Sequence, residues 1–543
     1  MSKLALFNGK IYIEKGVFAQ ALWAEDGVIV GVGRNEDVPA EFHAYEVIDC
    51  QGRTVIPGLN DSHLHLIKIG TRLSQADIAG STSMEDMIGR VKAFLAAHPE
   101  ACEKGIGTTG WNQDLFTDGK RMPTRYDLDR ISTHIPIVLS RICGHVATCN
   151  SKMLELLGMD KVPGTCPGGT IEVDETGIPN GIFTEAATGI PYSVLPQADP
   201  AAMMRDFATA CQYALSHGIT SVQSNDAGNS AYPKETVLQT LADLCRQGKM
   251  PLRYRAQISF DTPEELEAFA AKGGFVQPED CDPRRFAIGP VKLFKDGSLG
   301  GRTGTMRHEY LDDPGNFGVE TTTDGDMDAL CRIADKYGLQ VVTHVIGDKA
   351  IEDVTGNYER VLREGKNPLR HALVHCQITD RPMLERIAAL DIPVMYQPIF
   401  LDYDMHAVLS RCGEALSSTS YAFKTLGDLG AHISYGTDSP VEDCNPFPNL
   451  YSAVTRKDKT GWPEGGFFPD ECVDIETAID AYTAGSAYNE FRECDKGRLK
   501  PGFLADLVVL DTDIFTCDPM EIRNILPVLT IVDGQVAWRK EQA

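Results

Sequence analysis

The chain has 543 residues and a formal net charge of −26, with 43% hydrophobic and 24% charged residues. That length and apolar content can bury a large core and exclude wholesale disorder. The acidity weighs against nucleic acid or an anionic membrane as partner, because both demand a basic surface.

The opening stretch, MSKLALFNGKIYIEKG, is broken by Asn, Gly and Lys before any apolar segment could serve as a signal peptide, and no apolar run reaches the length of a membrane span. The fifteen cysteines include no CxxC pair. A cytoplasmic protein with reduced thiols is expected.

Up to residue 57 the sequence alternates short β patterns with turns, Asn8-Gly9 and Asp26-Gly27 being hairpin signals. Residues 491–543 do the same, with Asp533-Gly534 as another hairpin turn. The two ends are therefore expected to form the two halves of one small β-sandwich domain. Between them, residues 58–490 follow another rhythm. Amphipathic helical patterns alternate with β-branched strand patterns, as in DALCRIADKYGLQVVTHV and DRPMLERIAALDIPVMYQP. Eight strand candidates of this kind predict an α/β fold, a (β/α)8 TIM-like barrel. The stretch from about 67 to 200, with turns such as KVPGTCPGGTIEVDETGIPNG, breaks the rhythm. It reads as a long insertion after strand one, expected over the barrel mouth.

Strand one is VIPGLNDSHLHL. In a strand, alternate side chains share a face, so His63 and His65 point the same way, roughly 7 Å apart along the backbone. Two imidazoles on one face suit a divalent transition metal. Active-site groups of such a barrel lie at the carboxyl ends of its strands. Strand four, GPVKLFKDGSLG, carries Lys292 between apolar neighbours, with Lys295 in the loop beyond. Strand five ends at His344, strand six at His375, and strand eight, HISYGTDSPVE, at Asp438.

The order His-x-His, Lys, His, His, Asp resembles the amidohydrolase superfamily of metal-dependent barrels, over essentially the whole chain. Within it the chain is similar to the YtcJ-like branch that contains N-substituted formamide deformylases. The stretches that carry this are GWNQDLF, RICGHVATCNS, VKLFKDGSLGGRTG, THVIGDKA, QPIFLDYD and GTDSPVEDCNPFPNLYSAVTR. Asn60 departs from the pattern, standing where an apolar residue is usual. The resemblance implies that His63 and His65 bind one divalent ion and His344 and His375 a second, with Asp438 beside the metal and the attacking water. It also implies that Lys292 is carboxylated by CO2 to a carbamate bridging the ions. Zinc suits these ligands, and manganese, iron or cobalt also fit them.

The implied reaction is hydrolysis of a non-peptide C–N bond of the amide or formamide type in a small molecule. Metal-bound hydroxide attacks, and Asp438 acts as general base and then acid. His145 is a candidate polarising group in catalysis. Trp111, Arg141, Arg302, Gln377 and Gln397 are candidates for contact with substrate. Asp348 is expected to cap the helix after strand five, and Cys376 to pack. A homodimer is compatible with the sequence. The competing readings are a mononuclear-metal deaminase on the same barrel, which would carry a His-x-x-Glu pair absent from these strands, and a non-catalytic binding scaffold, which would have lost ligands.

Overall fold

The computed structural model describes residues 2–99, 105–141, 146–164, 166, 169–185, 187–195 and 200–541. Two compact units divide the chain: Met1–Leu66 together with Ala210–Ala543, and Ile67–Thr209.

The first unit is built on eight parallel strands. They are β1 (Leu59–Leu64), β2 (Ile219–Ala227), β3 (Arg253–Ser259), β4 (Phe286–Phe294), β5 (Val341–Val345), β6 (Ala372–His375), β7 (Val394–Tyr396) and β8 (Ile433–Tyr435), and each pairs with the next in sequence order. Helices return the chain between them: α1 (Lys234–Arg246), α2 (Pro263–Ala271), α3 (Asp324–Lys336), α4 (Asp348–Glu359), α5 (Arg381–Ala389) and α6 (Phe423–Asp428). Local sequence sets where several begin. Thr262 and Asp380 accept from the amides of Glu265 and Met383 at 3.2 and 2.9 Å, and each cap is followed by a proline in the first turn of α2 or α5. β1, β2 and β3 are buried at every position, as strands covered on both faces must be.

The ends of the sheet meet where β1 and β8 run out. The amide of Asp438 donates to the His63 carbonyl at 2.8 Å, and that of His65 to the Ser439 carbonyl at 2.8 Å. Asp61 fastens the same seam. Its carboxylate accepts from the amide and hydroxyl of Thr437, at 3.0 and 2.7 Å, and from the His63 amide at 3.1 Å. A Cβ on Gly436 would lie 2.7 Å from both Asp61 Oδ1 and His63 N, so only glycine permits this closure. The sheet is thereby drawn into a (β/α)8 barrel.

The barrel floor is polar. Arg255 is buried and donates to the carbonyls of Gly289 and Asn489 and to Gln340 Oε1, at 2.8, 2.6 and 3.0 Å. Lys496 pairs with Glu490 at 2.7 Å, and Asn60 donates to the same Glu490 oxygen at 2.5 Å. This explains the polar residue at position 60: it meets a buried carboxylate, which an apolar side chain would leave short of a donor.

Both ends of the chain build one six-stranded sheet, in the order Gln535–Arg539, Pro527–Val532, Leu507–Leu510, Thr54–Pro57, Lys10–Glu14 and Val17–Ala19. A four-stranded sheet, Val28–Gly33, Ala21–Glu25, Lys3–Phe7 and Glu46–Asp49, shares a core with it. Leu6, Leu22 and Ile29 from the smaller sheet are buried against Ile11, Val55, Leu507 and Leu529 from the larger.

The second unit has a sheet of its own, in the order Gly169–Val173, Pro179–Glu185, Val146–Cys149, Ile137–Arg141 and Ile106–Trp111. Trp111 is fully buried in its core with Met87, Val91, Phe116 and Leu139, and the indole Nε1–H donates to the Leu139 carbonyl at 2.9 Å. Among the described residues, no helix is long and apolar enough to cross a membrane.

Candidate metal centre

His63 and His65 project from the end of β1, and Asp438 lies just beyond β8. One ligand atom from each of the three lies within 4.8 Å of the others, and all three residues are buried. The Nε2 atoms of His63 and His65 stand 3.4 and 3.2 Å from Asp438 Oδ1, and Nε2 of His375 stands 4.0 Å from Asp438 Oδ2. His344 packs edge to face on His375 with ring centroids 4.5 Å apart. The backbone at His375 and Asp438 is left-handed, with φ of 74° and 55°. For residues with a Cβ that costs about 1–3 kcal/mol each, and it is the kind of strain found where a side chain must be aimed.

The other ring nitrogens fix what these can do. Nδ1 of His63 faces Gln257 Oε1 at 2.7 Å, while Gln257 Nε2 donates to the Ser62 carbonyl at 3.1 Å. Nδ1 of His375 faces Gln397 Oε1 at 2.6 Å, with Gln397 Nε2 donating to the Met395 carbonyl at 3.0 Å. Nδ1 of His65 faces the Asn225 carbonyl at 2.8 Å. An amide oxygen only accepts, so each Nδ1 carries the proton and each Nε2 presents a lone pair toward Asp438. His344 is turned the other way: its Nε2 donates to the Gly297 carbonyl at 2.8 Å, leaving the lone pair on Nδ1.

Burial drives the pKa of His63 and His344 well below the usual histidine value and that of His375 down to about 4, with the Lys292 charge adding to the effect on all three. They are neutral imidazoles at pH 7, the form that binds metal. Burial alone would raise the carboxyl of Asp438, but the adjoining imidazoles of His65, His63 and His375 hold it well below the usual carboxylate range.

Lys292 is fully buried in β4, with Nζ donating to the Leu293 carbonyl at 3.1 Å and lying 3.7 Å from the centroid of Phe294. Lys295 is equally buried but is ion-paired with Glu320. The residues fit a metal group. Three lone pairs converge on one carboxylate, and the Nε2 of His375 is buried without a hydrogen-bond partner, a position an ion would satisfy.

The remaining sequence candidates are placed as follows. Gln397 is set behind His375, its Oε1 2.6 Å from Nδ1. Gln377 is buried, and its carbonyl accepts from the Tyr421 amide at 2.9 Å. Arg302 is engaged by Asp312, with Nη2 2.7 Å from Oδ2. Trp111 and Arg141 belong to the second unit, where Trp111 is a core residue and Arg141 donates to Gln113 and Asp114 at 2.8 and 3.0 Å. His145 lies outside the described residues. Asp348 is the first residue of α4 and not its cap. Gly347 takes that position, and the Asp348 carboxylate accepts from the amide and Nε of Arg307, both at 2.9 Å. Cys376 is buried, its thiol pushed up to about 12 by that burial, as suits a packing residue. Gln257, Asn225 and Asp61 are the supporting residues the motifs do not reveal; the one available signal for Gln257 is a lone amide inside an otherwise core-forming strand.

A barrel that gathers neutral imidazoles around one carboxylate at the ends of its strands belongs to the class of metal-dependent hydrolases. The amidohydrolase family model matches residues 46–537, and the chain belongs to that family. It is 31% identical to the YtcJ protein of Bacillus subtilis, assigned by name to the amidohydrolases, over 98% of this chain and 99% of that one. An uncharacterized metal-dependent hydrolase from Pyrococcus furiosus superposes with a TM-score of 0.76 at 30% identity, covering 95% of this chain and 100% of the other. The N-substituted formamide deformylase of Arthrobacter pascens is 27% identical over 96% of this chain and 95% of its own. The chain is thus a metal-dependent hydrolase of the amidohydrolase superfamily.

Proposed function

We propose that the protein hydrolyses a non-peptide C–N bond of the amide or formamide type at a two-ion centre. The observation that carries this reading is the tautomer set: Nδ1–H of His63 and His375 donates to a glutamine amide oxygen and that of His65 to a backbone carbonyl, which turns three Nε2 lone pairs toward Asp438. His63, His65 and Asp438 would hold one ion, and His344 and His375 the other. Lys292, as a carbamate formed with CO2, would bridge them, since an ammonium in that position would repel both. Zinc is the ion that best suits imidazole and carboxylate donors. Such ions supply Lewis acidity, bringing the pKa of water from 15.7 to about 7 and polarising a carbonyl.

The chain's own part is the proton. Asp438, ionised and held between His63 and His65, takes a proton from the attacking water as the new C–O bond forms. It delivers that proton to the substrate nitrogen as the C–N bond breaks, so the amine leaves neutral and the acyl group leaves as an acid. The Asp438 amide, tied to the His63 carbonyl, keeps the carboxylate in reach of both events.

Protein purified without chelator is expected to carry about two divalent ions per chain, with one CO2 added at Lys292 by intact mass. A panel of N-substituted formamides, acyl amino acids and cyclic amides reports the substrate, the formamides coming first because the Arthrobacter relative is named for them. One ion per chain in the active protein points instead to a mononuclear hydrolase on the same barrel. An active preparation without metal would overturn both.

A further inference from the structure

His344 is the one ring of the four whose Nε2 carries the proton, and the group that enforces this does not belong to its own strand. The Gly297 carbonyl, 2.8 Å from His344 Nε2, sits in the loop that follows β4. Its neighbour Asp296 is buried, at 3% exposure, and its carboxylate accepts from three backbone amides. Oδ1 takes the Ile346 amide at 3.0 Å, and Oδ2 takes those of Gly347 and Thr305, both at 2.8 Å. Ile346 and Gly347 lie immediately past His344 at the end of β5, and Thr305 lies on the far side of the β4 loop. Oδ1 is also 3.7 Å from His344 Nε2. There is no slack in this joint: a Cβ on Gly347 would come 2.0 Å from the Thr305 carbonyl oxygen. A carboxylate accepting three N–H bonds in a buried setting fixes both segments strongly.

We infer that Asp296 is a positioning residue for the second ion. It fastens the β4 loop to the end of β5, which holds the Gly297 carbonyl on His344 and so keeps the Nδ1 lone pair available. This rests on the proposed role of His344 as a ligand of that ion. Asparagine has the shape of aspartate but sets an NH2 group against at least one of the three amides, so Asp296→Asn loosens the joint without emptying the site.

The test is titration of Zn2+ into the metal-free full-length protein against a chromophoric chelator, resolving two affinities. In Asp296→Asn the weaker affinity is expected to fall about tenfold to a hundredfold, the usual effect of losing a group that orients a ligand, while the stronger stays within twofold. In the Asp296→Asn/His344→Ala double variant, the weaker affinity is expected to equal that of His344→Ala alone. A staple that acts only on stability would give wild-type affinities for both ions with a lowered melting temperature, or a double variant in which the two losses add. Either result overturns the inference. Asp296→Ala removes the joint outright, and if it does not fold, the shape-conserving Asp296→Asn carries the test. If His344→Ala leaves both affinities unchanged, the proposed second ion site fails first, and the role of Asp296 falls with it.

Discussion

Replacing Gln257 with leucine keeps the volume of the side chain and removes both of its hydrogen bonds. His63 Nδ1–H, 2.7 Å from Gln257 Oε1, and the Ser62 carbonyl, 3.1 Å from Nε2, are left buried and unpaired. Each such group costs about 1–3 kcal/mol, so the pair costs about 2–6 kcal/mol. Burying leucine in place of the amide returns about 2 kcal/mol, which leaves a net loss of about 2 kcal/mol with a spread as large as itself. The second effect falls on the metal. Without an acceptor, the His63 ring can move its proton to Nε2, and the affinity of the site should drop about tenfold to a hundredfold. Urea unfolding of the metal-free protein measures the first effect, and chelator competition with Zn2+ the second. Gln257→Glu separates them, because a carboxylate still accepts from Nδ1 and is expected to keep zinc affinity near the wild-type level. Zinc affinity within twofold of wild type in Gln257→Leu would refute the reasoning, and so would equal losses in the leucine and glutamate variants.

Asp438→Asn should retain bound metal while hydrolysis slows by about 10²–10⁴-fold, read from metal analysis and turnover of the same sample; near-normal turnover would remove Asp438 from the proton path. His371 accepts the Val341 amide at 3.1 Å through Nδ1, and burial pushes its pKa down to about 4. Its contribution is therefore complete above about pH 6.5 and is lost as the pH falls through 4, by about 3 kcal/mol in all. Urea midpoints of His371→Asn should flatten across that window, and an unchanged slope would show that His371 is not what titrates. Trp111→Phe should lower stability by about 1 kcal/mol through the lost bond to Leu139 and leave KM alone; a KM shift above about threefold at unchanged stability would return Trp111 to the substrate.

The parts of this molecule that could be read in the sequence are those governed by local spacing. Alternation in β1 puts His63 and His65 on one face, and the apolar neighbours of Lys292 mark a strand, whereas Lys295 one step beyond it is turned onto Glu320. What escaped depends on chain brought together from far away. Gln257 matters because β3 lies where it can reach His63 across 194 positions of sequence, and nothing near Gln257 announces that. Gln397 was visible as a polar group at the end of β7, but only the structure shows that it faces His375. An aromatic residue in GWNQDLF suits a pocket or a core equally well until its sheet is formed, and Trp111 proves to be enclosed by that sheet. Asp348 was misread because a charge finds its partner through the path of the chain: Arg307 takes its carboxylate and Gly347 takes the cap. Arg302 was visible as a charge in a loop, but its ion pair with Asp312 was not.

The strand Thr54–Pro57 runs straight into β1 and lies between Lys10–Glu14 and Leu507–Leu510. During synthesis one side of it therefore waits for about 450 further residues, roughly 20–90 s at ordinary elongation rates. Gly58 is pinned by the carbonyl of Asp506, and Arg253 on β3 by the Asp506 carboxylate, at 2.9 and 2.5 Å. Those anchors too arrive last. His63 and His65 leave the ribosome early, yet the Asp438 and Ser439 backbone that closes on them follows much later, and the anchor on Gly58 later still. Any ion that His63, His65 and Asp438 hold together would therefore have to wait for Asp438, made long after the strand that carries the histidines.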